Sequence, residues 1–339
     1  MKNPINAIGK NCIKLLWLTA MVLCFSCEKE QLPNDLTLGS QLNSRAENVG
    51  KAIPNKVEVV TTHMNLEMPS TVPSGWTTFR YSNKSHSTHF FLLQKLPGDK
   101  TFEDSKTEVV PVFQEGMNYI NIGDWDNALL AFSKLPAWSA DIIYWGGVGL
   151  LSPGGLVEST VFLEPGNYAV ECYVKNDQGV FHSANGMITG LTVTDEENGY
   201  SPPKSTFQVS ISSQDGIMMD RNPRPGEHTI EVFFEDQTVY SHFLGHDVHL
   251  VKLDHTADLD ELNAWMNWSD PAAFKTPVPE GVAFLGGMQD LPALEGKPAS
   301  HMGYFEVNLK PGRYALIAEV PDPRSKNMFR IFSVPAVPD

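Results

Sequence analysis

The sequence contains one internal repeat, and this repeat restricts the architectures that the chain can adopt. HFFLLQKLPGDKTFED at 89–104 matches HDVHLVKLDHTADLDE at 246–261, and LEPGNYAVECYV at 163–174 matches LKPGRYALIAEV at 309–320. Two further blocks match in the same order, VPSGWTTFRYSN with RPGEHTIEVFFED and YWGGVGLLSPGG with FLGGMQDLPALEG. Ordered matches of this kind are typical of two related structural units in tandem.

An acidic segment with two prolines, TDEENGYSPPK, lies between the two copies. Clusters of charged residues with Gly and Pro are typical of connections between domains. We therefore predict a first domain at 56–194, a linker at 195–204 and a second domain at 205–335.

Both copies have the composition of β structure. Segments such as WTTFRYSN and STVFLEPGNYAVECYV are rich in Val, Thr and aromatic residues, and Gly or Pro turns separate several of them. WDNALLAFSKL in the first copy and ADLDELNAWMNW in the second place their apolar residues at helical spacing. The sequence therefore predicts an all-β fold of two tandem sandwiches or barrels, each with a short helical insertion.

The N-terminal segment predicts export. Lys2, Lys10 and Lys14 precede the apolar run LLWLTAMVLCFS, which is short for a membrane span. The junction FSCEKE resembles the lipoprotein signals of Bacteroidetes-type bacteria. This resemblance implies a signal peptide at 1–26, acylation of Cys27 and a lipid-anchored protein on the periplasmic or outer-surface face of the bacterial cell envelope. The polar, aperiodic segment 27–55 predicts a flexible tether.

The charge balance bears on the partners of the protein. The chain carries 25 basic and 40 acidic side chains, a formal net charge of −15. Residues 1–26 contain three lysines and no acidic residue, so their removal takes the charge to −18. An acidic surface of this kind repels phosphate backbones. We expect membrane contact through the lipid and no nucleic-acid partner.

One cysteine is left without a disulfide partner. Cys12 and Cys24 leave with the predicted signal peptide, and Cys27 is blocked by the predicted lipid, so Cys172 alone remains. A free thiol in an oxidising compartment is open to oxidation. Its presence there indicates that Cys172 is either buried or bound to a metal.

The residues around Cys172 resemble those of the cupredoxins, in particular bacterial cupredoxin-like proteins. The resemblance rests on PSGWTTFR, LEPGNYAVEC and the spacing C-x9-H-x4-M, and it extends to both halves. It implies cupredoxin-like Greek-key sandwiches and a mononuclear type 1 copper site in the first domain, with His89, Cys172, His182 and Met187 as ligands. Soft sulfur ligands and imidazoles suit copper in both of its oxidation states. The function that follows is that of an electron carrier with a redox protein partner.

The second copy departs from this pattern. It has His246 and Met328 at matching positions, but Ala318 stands where the first copy has its cysteine, and its shorter loop PDPRSKNM contains no histidine. The second domain is therefore expected to bind no type 1 copper. In the first copy, Phe90 follows His89 where many blue-copper proteins have Asn.

Two readings of the first copy remain open at the level of the sequence. In one, Cys172 is a copper ligand; in the other, it is a small buried hydrophobic residue, Met187 belongs to the core, and the protein is a metal-free binding or scaffold module of the envelope. Multicopper oxidases also have tandem cupredoxin domains, but the chain contains no H-x-H pair and no hydrolase, metalloprotease or dinucleotide motif. We therefore expect no enzymatic activity.

Overall fold

Strands dominate the regular structure of the protein, as the sequence predicts. The computed structural model describes residues 55–336, so the predicted signal peptide, Cys27 and all but the last residue of the predicted tether lie outside the described residues. The strands of the first copy are β1 (Asn55–Thr61), β2 (Thr71–Asn83), β3 (His89–Lys95), β4 (Ile143–Leu151), β5 (Leu156–Leu163), β6 (Gly166–Glu171) and β7 (Ile188–Glu197). The strands of the second copy are β8 (Phe207–Ser212), β9 (Gly216–Met219), β10 (Gly226–Phe234), β11 (Val248–Leu253), β12 (Val282–Met288), β13 (Met302–Leu309), β14 (Gly312–Ile317) and β15 (Phe329–Val334).

These strands form two sheets, and each sheet contains strands from both copies of the repeat. One sheet contains β1, β2, β5, β13, β10, β8 and β9; the other contains β7, β6, β3, β4, β12, β11, β14 and β15. Strand β2 belongs to both, because its first four residues pair with β7 and the residues from Gly75 onward pair with β5. Gly75 has a φ of +108°, a conformation that favours glycine, at this change of partner.

The two copies are joined by direct strand pairing. Ser159 of β5 lies opposite Phe305 of β13, and Leu151 of β4 lies opposite Leu285 of β12. The described residues lie within one compact unit, and a single cluster of buried apolar side chains includes residues from both copies. Strand β7 ends at Glu197, three residues into the predicted linker. The fold is thus mostly β, while its division into two tandem Greek-key domains stays a prediction.

Two glycines show that the repeat found in the sequence is also a repeat of structure. Gly147 and Gly287 have φ values of +139° and +143°. A Cβ on Gly147 would meet the carbonyl oxygen of Phe91, and a Cβ on Gly287 would meet that of Val248. Each of these carbonyl groups lies two residues after a matched histidine, His89 or His246. The strands that the repeat matches therefore pair with their neighbours in the same register in both halves.

Two tyrosines give the same result at the other end of the repeat. The hydroxyl of Tyr168 donates to the carbonyl oxygen of Glu164, and the hydroxyl of Tyr314 donates to that of Lys310, both at 2.8 Å. Both tyrosine side chains are buried. Because LEPGNY and LKPGRY fold into the same corner, Cys172 and Ala318 occupy matching positions at the ends of matching strands.

The helical content is larger than the sequence analysis predicts. The two predicted insertions are present as α3 (Trp125–Phe132) and α4 (Leu259–Trp265), but helix also occurs ahead of α3, as α1 (Phe102–Asp104), a π-helical turn (Ser105–Val109) and α2 (Val110–Asn121). Short 3₁₀ turns are present at Ala137–Asp141, Pro298–His301 and Pro323–Lys326. None of the helices among residues 55–336 has the length and apolar character needed to cross a membrane.

Candidate metal centre

Three of the predicted ligands meet in the core of the first half. His89 is the first residue of β3, Cys172 follows the last residue of β6, and His182 lies in the turn before β7. All three side chains are fully buried. Strands β3 and β6 are hydrogen-bonded neighbours, and this pairing brings His89 and Cys172 together although they are far apart in the sequence.

Both imidazoles place Nδ1 near the thiol. The Sγ of Cys172 lies 3.7 Å from Nδ1 of His89 and 3.7 Å from Nδ1 of His182, and the two ring centroids are 4.7 Å apart. One ligand atom from each residue lies within 4.8 Å of the other two. In the described part of the chain, this is the one group of three or more His, Cys, Asp or Glu side chains with that geometry.

Burial keeps all three side chains neutral near pH 7. It lowers the pKa of His89 to about 4, and burial together with the neighbouring His89 lowers the pKa of His182 to about 3. Burial raises the pKa of the Cys172 thiol to about 12. A neutral imidazole has a free lone pair for a metal, whereas the thiol has to lose its proton on binding, so metal binding and proton release are coupled at this site.

The backbone around the thiol already provides hydrogen-bond donors to the sulfur. The N–H groups of Phe90 and Val174 donate to Cys172, which lowers the pKa of its thiol against the larger effect of burial. Because the donor at position 90 is a backbone group, the replacement of Asn by Phe does not remove it. The loop before His89 is held instead by Asn83, whose amide donates to the carbonyl oxygens of Ser87 and Leu151, both at 2.8 Å.

Met187, the fourth predicted ligand, is buried and tied to the other loop ligands through its backbone. Its carbonyl oxygen accepts a hydrogen bond from the N–H of Cys172 at 3.2 Å, and its N–H donates to the carbonyl oxygen of His182 at 2.9 Å. The N–H of His182 donates in turn to the carbonyl oxygen of Val174 at 2.8 Å. The ligand loop between Cys172 and Met187 is therefore closed by backbone hydrogen bonds, and a role for the Met187 thioether stays a prediction.

The ligand loop is also held from outside, by contacts that sequence reasoning missed. The side-chain oxygen of Gln114, on α2, accepts a hydrogen bond from the N–H of Phe181 at 2.8 Å. The buried Lys175 donates through Nζ to the carbonyl oxygens of Trp268 at 2.7 Å and Asp270 at 2.6 Å in the second half. Lys175 directly follows the apolar residues CYV in the sequence. A lysine in a buried segment is seldom without partners, so its position could have indicated a contact of this kind.

The matching position in the second half has a different arrangement. The N–H of Ala318 donates to the carbonyl oxygen of Met328 at 3.0 Å, which reproduces the Cys172 to Met187 bond. The hydroxyl of Tyr240 lies 3.4 Å from Nδ1 of His246 and 3.8 Å from Sδ of Met328. With no thiol and with a phenol between the two remaining candidate ligands, this half lacks the ligand set of a type 1 copper site.

The donor atoms of the first half fit copper. Two neutral imidazole nitrogens and one sulfur form the set that copper prefers in electron-transfer sites. Among the described residues, neither Nε2 atom has a hydrogen-bond partner, although buried polar atoms in proteins are usually paired. The His-Cys-His group could bind one copper ion.

Comparisons with known proteins found similar solved structures only. No protein-family profile matches the sequence, and no curated protein matches it. Similar solved structures include reduced auracyanin from Roseiflexus castenholzii (23% identity, 41% of this chain and 97% of that chain, TM-score 0.25) and the blue-copper auracyanin A from Chloroflexus aurantiacus (21% identity, 42% and 99%, TM-score 0.26). A copper-containing nitrite reductase from Thermus scotoductus also matches (13% identity, 84% of this chain and 63% of that chain, TM-score 0.20).

The chain resembles the cupredoxins. Its strands, its two matching tyrosine hydrogen bonds and its buried His-Cys-His group agree with the resemblance found in the sequence.

The sequence analysis predicts that the protein has no enzymatic activity, and this prediction is wrong, because it excludes enzymes. Similar solved structures include copper nitrite reductases and a multicopper oxidase, which are enzymes, as well as blue-copper proteins. The expectation rested on the lack of catalytic motifs in the sequence. A buried copper centre supplies redox chemistry without such a motif, so the absence of motifs does not separate an electron carrier from an enzyme.

Proposed function

We propose that the protein is a lipid-anchored electron carrier of the bacterial cell envelope, with one mononuclear type 1 copper centre in its first half. His89, Cys172 and His182 would hold the metal, with Met187 as a weak fourth ligand. A redox protein would exchange electrons with this centre. The convergence of both Nδ1 atoms on Sγ of Cys172, at 3.7 Å each, is the observation that carries this proposal.

Copper bound at this position would supply a one-electron redox couple. The protein's part is to hold the ligands in place and to exclude water. Two backbone N–H groups donate to the sulfur, and hydrogen bonds around a metal-bound sulfur tune its potential. Contacts from α2 and from the second half restrain the ligand loop, which limits the rearrangement that accompanies a change of oxidation state.

The direct test is a titration with Cu(II) of the chain expressed from Glu28 onward, in which Cys172 is the sole cysteine. We expect one equivalent to produce a visible absorption band from thiolate coordination. Cys172→Ser should abolish the band, and Met187→Leu should leave it in place and mainly shift the reduction potential. A wild-type protein that stays colourless and binds no copper would favour the metal-free scaffold reading.

The anchoring part of the proposal rests on the FSCEKE junction alone. Cys27→Ser should leave the precursor unprocessed or release the protein from the membrane fraction. Fractionation with mass spectrometry of the mature N-terminus measures both effects. A wild-type protein that is fully soluble and carries no lipid would contradict this part and would leave the copper proposal untouched.

A further inference from the structure

A cavity of about 520 Å³ lies against the outer face of the sheet that carries the candidate copper ligands. Leu92 and Gln94 of β3 and Glu171 of β6 line it, and these residues alternate along their strands with the residues that face the core. The helical insertion of the first half and the segment 239–244 of the second half cover this face. Both the volume of the cavity and its position between the first and the second half are typical of small-molecule sites.

Two residues that line this cavity, Ser105 and His242, each carry a buried polar atom without a hydrogen-bond partner. Ser105, in the π-helical turn, is 1% exposed, and its Oγ has no hydrogen-bond partner among the described residues. His242 is fully buried, and its Nδ1 also has none. Nε2 of His242 lies 2.9 Å from the carbonyl oxygen of Glu319. A carbonyl oxygen only accepts, so Nε2 carries the proton, and Nδ1 of the neutral ring is left as an unused acceptor.

The state of His242 is consistent with that assignment. Burial lowers the pKa of this histidine to about 4, so the ring is neutral near pH 7. An unpaired buried acceptor is unfavourable, and a ligand that donates a hydrogen bond to it removes this cost. The cavity therefore favours a ligand with an O–H or N–H group.

The remaining walls are mostly apolar and aromatic, and they also include Ser139, Tyr144, Tyr173 and Ser183. Phe113, Phe181, Phe243 and Trp268 all line the cavity, and Phe113 and Phe181 contact Trp268 edge-on at centroid distances of 6.0 and 5.5 Å. Flat aromatic rings prefer such edge-to-face contacts. None of the described residues that line the cavity is Lys or Arg, so nothing there compensates a negative charge on a ligand.

Phe243, which lines the cavity, has an unusual backbone conformation. It is 41% exposed at the opening of the cavity and has a φ of +69°, a conformation that bulky residues rarely adopt. Backbone strain of this kind is concentrated at ligand sites. It directs the ring of Phe243 against Phe132, at a centroid distance of 5.3 Å.

We propose that this cavity binds a neutral aromatic compound with one hydrogen-bond donor, whose ring packs among the aromatic side chains and whose O–H or N–H donates to Nδ1 of His242. The proposal concerns binding alone, and it does not depend on copper.

Calorimetric titration of the metal-free chain from Glu28 onward, with three matched probes, tests it. 2-Naphthol should bind saturably, with one site per chain. 2-Methoxynaphthalene, which lacks the donor, should bind at least tenfold more weakly, and the anion 2-naphthoate should not bind. Equal affinity for 2-naphthol and 2-methoxynaphthalene, or no binding of either, would overturn the proposal.

Variants locate the site. His242→Phe removes the acceptor Nδ1 and should therefore remove the preference for 2-naphthol. The hydrogen bond from Trp268 Nε1 goes to the backbone carbonyl of residue 242, so the variant retains it. His255→Phe, at an exposed histidine outside the cavity, is the matched control and should keep the preference. Should His242→Phe fail to fold, Ala140→Trp at the rim of the cavity should abolish binding, while Leu130→Trp on the exposed face of α3 should not. Unchanged binding in Ala140→Trp would contradict the assignment.

Discussion

The two halves of the protein build the same corner of the same fold and leave different side chains in it. In the first half, a thiol and two imidazoles meet at Cys172. In the second, Ala318 occupies the matching position, and a tyrosine hydroxyl contacts the remaining candidate ligands, His246 and Met328. The same backbone bonds form in both halves, so this corner of the fold forms with and without the three candidate ligands.

The second half also contacts the ligand loop of the first half. Lys175 reaches across to the carbonyl groups of Trp268 and Asp270, and the N–H of Lys175 donates to the carbonyl oxygen of Phe274 at 2.9 Å. The half with Ala318 in place of the cysteine therefore restrains the ligand loop of the other half. A carrier with a restrained ligand loop needs less rearrangement for each electron that it transfers.

The largest effect is expected from the paired glycines. Gly147→Ala and Gly287→Ala each force a Cβ against a carbonyl group of the neighbouring strand in a backbone conformation that favours glycine. We expect each substitution to lower the free energy of unfolding by about 3 kcal/mol. Urea denaturation of the metal-free protein measures it. A large effect at one position and none at the other would break the structural equivalence of the halves.

A pH dependence separates the two matched sites. The unfolded pKa of a histidine is about 6.5, and that of His182 in the folded protein is about 3. Between these values the unfolded chain binds the extra proton, so stability is present above pH 6.5 and is lost as the pH falls. Between pH 7.5 and 5, the advantage of the wild type over His182→Gln in free energy of unfolding should shrink by about 2 kcal/mol.

The counterpart variant is His246→Gln. Burial lowers the pKa of His246, but the carboxylate and carbonyl groups of Asp236 oppose this effect. The change between the same two pH values should therefore be smaller than for His182→Gln. Denaturation of metal-free proteins at both pH values gives the two differences, and an equal or larger change for His246→Gln would reverse our electrostatic account of the two sites.

The smallest effect is expected at the two tyrosine corners. Tyr168→Phe removes one hydrogen bond, which its hydroxyl donates to the carbonyl oxygen of Glu164 at 2.8 Å. Tyr314→Phe removes two, because its hydroxyl donates to the carbonyl oxygen of Lys310 at 2.8 Å and accepts from the N–H of Lys310 at 3.1 Å. Tyr168→Phe should cost about 1 kcal/mol, and Tyr314→Phe should cost slightly more because of its second, longer bond. Thermal unfolding of the two variants against the wild type is sufficient, and a difference between them of more than about 1 kcal/mol would show that the corners have diverged.

The candidate site was predictable to the extent that it depends on local motifs. The repeat fixed the register, and the spacing C-x9-H-x4-M together with the position of His89 identified the three side chains that meet. The helix at Val110–Asn121 was missed because TEVVPVF is rich in β-branched residues and contains Pro111. The structure accommodates Pro111 in the first turn of α2, where its missing N–H costs little.

Contacts between the halves were beyond the reach of sequence patterns. The pairing of β5 with β13 and of β4 with β12 joins residues more than 130 positions apart, and no turn or periodicity specifies such partners. The bracing of the loop by Gln114 and Lys175 and the cavity beside His242 depend on the same long-range packing. Local propensity describes elements, whereas these features exist only after the elements have been assembled.

X-ray absorption at the copper edge, on the chain from Glu28 onward loaded with one equivalent of Cu(II), tests the central claim most directly. The account predicts a first coordination shell with one sulfur at a short, thiolate-like distance and two imidazole nitrogens. It also predicts that Cys172→Ser loses the sulfur and that Ala318→Ser changes nothing. A shell of nitrogen and oxygen alone in the wild type, or an unchanged spectrum in Cys172→Ser, would contradict a copper site at Cys172.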